Sequence, residues 1–347
     1  MANKIVRWGL LSTARINERV MPEMRTSQRC DVVAVASRSE AKAQQYARQW
    51  EIPRHHGSYE QLLEDAEVDA VYISLPNGLH ATWAVRCANA GKHVLCEKPL
   101  ALSTGEVDQM ANAARRNGVI IQEAAMMRFH PQTRRIRELL ASKQIGDLRL
   151  IRGVFTYVLN NPDDVRMDPD QGGGALWDLG SYCVSFCRNV MDAEPAEVLA
   201  TDHLSDTGVD LSFWALMRFD GGTVAQFFAS LDAFGHVEAD LLGTTGRIQL
   251  SSPWVNQLGF DAVIKVIHHD GSPPKSTWDD GMKSQTVKTE SWENANAYEH
   301  EVNAMAASIL DGAPIAITLD DSRRNVATIR ALIESARTGR AVRPGDQ

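Results

Sequence analysis
Between Lys4 and Ala125 two hydrophobic periods alternate, and few folds satisfy that order. Short apolar, β-branched runs fall at Lys4 to Leu10, Asp31 to Ala36, Val68 to Leu75, Lys92 to Cys96 and Val119 to Ala124. Each has the length and texture of a strand buried on both faces. Helical patterns lie between them. Ile16, Val20 and Met24 share one face, Glu40 to Trp50 and His80 to Ala90 read as helices, and Gly91 stands where a helix stops. Ser103-x-x-Glu106 is a capping box, followed by Val107, Met110, Ala111 and Ala114 and closed by Gly118. Strands and helices in strict alternation specify an α/β, Rossmann-type, doubly wound parallel sheet over residues 1–125.

Past Ala125 the pattern changes. A helix over Pro131 to Ser142 leads into alternating runs at Leu148 to Leu159, Val198 to His203, Leu211 to Phe219, Thr223 to Leu231 and His236 to Leu242. Short turns such as Asp220-Gly221-Gly222 join them, so residues 126–347 read as an α+β domain with a large open, mainly antiparallel sheet. The polar stretch 255–290 reads as sheet-edge hairpins, and helices follow at Tyr298 to Leu310 and Ser322 to Arg337. A chain of 347 residues suits two domains. An open sheet with one bare apolar face aggregates unless covered, which leads to the expectation of a homodimer or homotetramer through that sheet.

The bulk properties narrow the partners. A net charge of −8 argues against nucleic acid and anionic membranes, and the arginines at 128, 134, 135 and 137 read as solvated or paired side chains. No run of about 18 apolar residues offers a membrane span. The first strand begins too early to leave room for a signal peptide. Cys30, Cys87, Cys96, Cys183 and Cys187 are odd in number and lack metal-ligand spacing, so they read as packed core thiols. The chain is expected to be a reduced, cytoplasmic protein.

Ligands of an open α/β sheet bind at the carboxyl ends of its strands, and four short segments fall there. The first strand offers Gly9, Leu11 and Ala14 where a Gly-x-Gly-x-x-Gly/Ala turn is wanted; with the middle glycine missing, the Ser12 and Thr13 hydroxyls are expected to reach the pyrophosphate. The second ends in Ser37-Arg38, without the acidic residue that grips a free ribose 2′-hydroxyl. That favours NADP, with NAD still possible. Next come Leu75-Pro76-Asn77 and His80, expected over the nicotinamide half, although Pro76-Asn77 also suits a plain turn. The fourth is Cys96-Glu97-Lys98-Pro99. Taken alone, Lys98 is compatible with a solvated loop lysine as well as with a catalytic one.

Glu97-Lys98-Pro99, the half-intact glycine turn, Ser37-Arg38 and Leu75-Pro76-Asn77-x-x-His80 together resemble the Gfo/Idh/MocA oxidoreductases from about Lys4 to about Arg337. The resemblance implies a nicotinamide cofactor, a catalytic Lys98 and a cis bond before Pro99. Gly172-Gly-Gly-Ala-Leu-Trp-Asp178-Leu-Gly-Ser-Tyr182 resembles a second motif of that family, with Tyr182 where inositol dehydrogenases carry His. This variant belongs with the dihydrodiol dehydrogenase, glucose-fructose oxidoreductase and sugar dehydrogenase branches.

The chemistry suits that set. Moving a hydride to or from a carbinol carbon requires a proton to leave or join its oxygen. A free Tyr titrates near 10, too high for a base at neutrality, and a neighbouring ammonium lowers that value. Tyr182 is thus expected to carry the proton, tuned by Lys98, while Asp178 accepts from a second hydroxyl of a sugar, polyol or vicinal diol. The loop Asn160 to Gln171, with Asp163, Asp164, Arg166 and Asp168, is expected to border the pocket. The competing reading is a non-catalytic dinucleotide-binding sensor of the same fold.

Overall fold
The computed structural model describes residues 5–254, 262–269, 285–293 and 295–345. The chain divides into two compact units. The first takes the chain up to Phe129 with Asp170–Gly172 and Tyr298–Val326; the second takes His130–Pro169, Gly173–Ala297 and the chain from Ala327 onward. Two later stretches of the chain thus return to the first unit.

The first unit is built on a parallel sheet of six strands: β1 (Val6–Leu11), β2 (Cys30–Ala36), β3 (Arg54–His56), β4 (Ala70–Ile73), β5 (His93–Glu97) and β6 (Ile121–Ala124). Their order is β3-β2-β1-β4-β5-β6, so the winding reverses between β1 and β4. The edge strand β3 was not among the expected strands, because Arg-His-His carries no apolar period; it pairs with Ala34 to Ala36 of β2. β4 is buried throughout and β1 at every residue but Arg7, which explains their apolar runs. The capping box at Ser103 and Glu106 is formed, and Gly118 ends that helix at a φ of 63°. The helix Ala297–Asp311 joins this unit because Asn303 Oδ1 accepts from Ser27 Oγ at 2.6 Å and Val302 carries its main chain close to Cys30.

The second unit holds one eight-stranded sheet: β7 (Leu148–Val158), β8 (Glu197–Leu204), β9 (Asp210–Arg218), β10 (Val224–Ser230), β11 (Asp232–Gly243), β12 (Gly246–Ser251), β13 (Ala262–His269) and β14 (Gln285–Trp292). The order is β14-β13-β12-β11-β7-β10-β9-β8, antiparallel except where β10 meets β7. Residues 255–261 and 270–284 of the expected edge hairpins lie outside the described residues. One sheet face is covered by the helix Ser181–Met191, whose Cys183, Val184, Phe186 and Cys187 are buried. The other face turns Leu199, Trp214 and Leu216 to solvent, with Trp214 and Phe228 stacked 5.0 Å apart. All five cysteines are buried. Arg128 pairs with Asp321, Arg135 with Glu290 and Arg137 with Asp192. Among the described residues no helix is long and apolar enough to cross a membrane.

Candidate active site
In the first unit the strand ends converge where the winding reverses. The turn after β1 runs through Ser12 at a φ of 134°, a value that favours glycine. Ser12 Oγ lies 2.8 Å from Ser74 Oγ and accepts from the Ala14 amide at 3.1 Å, and the Ser12 carbonyl takes a bond from Asn17. The serine thus ties the end of β1 to the end of β4, while Thr13 and Ala14 stand half-buried at the rim. At the end of β2, Ser37 is buried and receives the Ser39 amide, whereas Arg38 is exposed beside Tyr59. An exposed guanidinium in place of an acidic side chain at position 38 fits the phosphate-bearing ribose of a dinucleotide.

Leu75 is buried and Pro76 and Asn77 are half-buried past β4. Asn77 Nδ2 donates to the Gly172 carbonyl at 2.9 Å, which fastens the returning segment Asp170–Gly172. A Cβ on Gly78 would stand 2.9 Å from the Asp170 carbonyl, so only glycine admits that segment. His80 is held by main chain. Its ring is fully buried, with Nδ1 2.8 Å from the Pro99 carbonyl and Nε2 2.8 Å from that of Leu75. Burial lowers its pKa against the pull of the two carbonyls, and the Lys98 charge adds to the lowering. Held by these two carbonyls, His80 ties the segment after β4 to the segment after β5.

The Glu97-Lys98-Pro99 segment is held on several sides. Tyr72, wholly buried, donates a short hydrogen bond to Glu97, and burial followed by the Glu97 charge raises the tyrosine's pKa. The Lys98–Pro99 bond is cis, as the resemblance implies. The Leu100 amide donates to Glu123 at 3.1 Å, and Ser322 Oγ secures the other Glu123 oxygen at 2.7 Å. Lys98 is half-buried at the carboxyl end of this braced strand.

In the second unit the loop after β7 doubles back on the glycines. The Gly173 amide bonds the Asp168 carbonyl and the Gly174 amide bonds that of Arg166, each at 2.9 Å. A Cβ on Gly173 would meet the Arg166 carbonyl at 2.4 Å, which accounts for that glycine. The helix that follows opens as a π-turn, Leu176–Gly180, before becoming α-helical at Ser181, a feature the sequence spacing does not reveal. Asp178 sits in that turn. Its Oδ2 accepts from Arg166 Nε at 2.7 Å and from Tyr157 Oη at 3.1 Å, and Arg166 Nη1 also reaches Asp164 at 3.0 Å. Burial and then the Asp178 charge raise the Tyr157 pKa, keeping its hydroxyl a donor. Tyr182, half-buried, packs edge-on to Phe155 at 5.6 Å. Tyr157 escaped the sequence reading because nothing in a strand's alternation distinguishes it.

A family profile described as an oxidoreductase family with an NAD-binding Rossmann fold matches residues 6–125, and the GFO/IDH/MocA C-terminal domain matches residues 133–249. The chain belongs to the GFO/IDH/MocA oxidoreductase family. Within it, D-xylose 1-dehydrogenase (NADP(+)) 2 of Haloferax volcanii is 36% identical over 337 residues, 96% of this chain and 98% of that protein. Trans-1,2-dihydrobenzene-1,2-diol dehydrogenase of Danio rerio is 39% identical over 249 residues, 71% of this chain and 74% of that one. Among solved structures, a 3-ketoreductase from Actinomadura kijaniata in complex with NADP and TDP-benzene superimposes with a TM-score of 0.86 at 27% identity, over 96% of this chain and 98% of its own. The chain is thus a nicotinamide-dependent oxidoreductase of the GFO/IDH/MocA family.

Proposed function
We propose that this chain is an NADP-preferring dehydrogenase or reductase acting on a CH–OH or carbonyl carbon of a sugar, polyol or vicinal diol. What carries this reading is the rigid delivery of Lys98, braced by His80 and Glu123, to the carboxyl end of β5 in an NAD-binding-family sheet. The names of the relatives, a D-xylose dehydrogenase and dihydrodiol dehydrogenases, support the substrate class. The bound nicotinamide supplies the hydride donor or acceptor. Tyr182 carries the proton to or from the reacting oxygen, and Lys98 stabilises its phenolate and donates to that oxygen. Asp178, kept as an acceptor by Arg166 and Tyr157, takes a hydrogen bond from a second hydroxyl and so selects which carbon reacts. Arg38 receives the 2′-phosphate. A second copy covers the outer sheet face around Leu199, Trp214 and Leu216.

The test is Tyr182→Phe, followed by reduced-nicotinamide absorbance over pentoses, hexoses, inositols and aromatic diols with both cofactors. Turnover should vanish while NADPH still binds by fluorescence titration. Full activity in that variant removes Tyr182 from the mechanism.

A further inference from the structure
Asp210 opens β9, 34 residues from the helix it serves. Its Oδ2 accepts from the Leu176 amide at 2.6 Å, and the Ala175 amide and its own also face the carboxylate. Gly174, at a φ of 104°, lies so close that a Cβ there would stand 2.1 Å from Asp210 Oδ1. The third glycine of the Gly-Gly-Gly run is therefore the space Asp210 occupies. The amides belong to the turn that leads into Asp178 and, one turn on, Tyr182.

We propose that Asp210 is a positioning residue for hydride transfer: its carboxylate anchors the first turn of this helix and thereby fixes where Asp178 and Tyr182 stand. The inference rests on the function proposed above. A carboxylate in this place accepts charge-assisted bonds and complements the positive end of the helix, and both effects fade when it is protonated. The helix and glycine turn present main-chain amides to Asp210, and the neighbouring β8 presents the carboxylate of Asp202. Burial, opposed by the amides and aided by Asp202, pushes the Asp210 carboxyl up to about 7. The native state thus keeps a proton that the unfolded chain sheds near 4, so folding stability falls as pH rises from there towards 7.

Asp210→Asn keeps the shape and one acceptor but fixes the group neutral. At pH 8 it should lower kcat about tenfold with NADP affinity unchanged, and the gap to wild type should close by pH 6. Its thermal midpoint at pH 8 should rise by a few degrees, with no rise at pH 5. Hydrogen exchange of the amides from 174 to 180 should be about tenfold faster in the variant at pH 8 and equal at pH 6. A wild-type kcat at pH 8, or a variant less stable than wild type there, overturns the proposal. If the exchange difference appears but neither protein oxidises or reduces any sugar or diol, the anchor stands and the dehydrogenase reading falls. If turnover is normal and exchange is unchanged, the anchor falls alone.

Discussion
Replacing Arg166 with Met tests the Asp178 cluster most directly. Methionine keeps much of the apolar stem and removes the Nε donor at 2.7 Å from Asp178 and the link to Asp164. Breaking a buried ion pair by removing one partner costs about 3–5 kcal/mol. Here the Arg166 side chain is 39% exposed and that of Asp178 14%, so solvent screening trims the figure to about 2–3 kcal/mol. If that energy holds the carboxylate where the second hydroxyl must meet it, kcat/KM falls roughly 30- to 150-fold. Tyr157 still donates at 3.1 Å in the variant, so Asp178 is loosened and not released. Tyr157→Phe alone should cost about tenfold, the worth of one bond to a charged acceptor. Because both donors meet the same oxygen, the double variant should lose less than the product of the two. Steady-state kinetics on the best substrate of the screen, with NADP affinity as control, reads all three. A kcat/KM for Arg166→Met within threefold of wild type refutes the idea that Asp178 must be held.

Arg38→Ala should weaken NADP far more than NAD in fluorescence titrations, and an equal loss for both removes the phosphate assignment. Glu301 is fully buried, neither of its carboxyl oxygens has a hydrogen-bond partner among the described residues, and burial followed by the charges of Glu97 and Glu123 raises its pKa well above the ordinary carboxyl value. The folded chain therefore holds a proton that the unfolded chain loses above about 4.3, so stability declines as pH climbs from there. Glu301→Gln should gain on wild type between pH 5 and pH 8 in urea denaturation, and parallel curves contradict the buried neutral acid. Trp214→Glu should lower the mass measured by sedimentation if the outer sheet face joins two copies; an unchanged mass places the interface elsewhere.

The sheets were legible in the sequence because burial writes itself as a period. The strands expected at Val68 to Leu75 and Leu211 to Phe219 stand at Ala70–Ile73 and Asp210–Arg218. Three-residue β3 was not, since it carries no apolar run and exists because β2 offers it an edge. The strand ends were legible as places, through Ser12, Asn77, His80 and Lys98, but not as directions. The sequence does not show that the carbonyls of Leu75 and Pro99 hold the His80 ring. Tyr157 and Asp210 left no local signal: their partners lie 21 and 34 residues away, and only the doubling back of the loop and the pairing of β9 bring them in.

Glu97 closes β5, and Lys98 and Pro99 lead the chain out of it. Lys98 stands in a bend that carries the cis bond to Pro99. Glu97 turns to Tyr72 within the first unit, and Pro99 gives its carbonyl to His80. Glu123 then fixes the Leu100 amide just beyond. Each bond pins a residue next to Lys98 and thereby sets the direction of the lysine's own Cα–Cβ bond. The tripeptide is therefore best understood as one lysine with a brace on either side, and a site that must aim a single ammonium has a physical reason to keep all three residues.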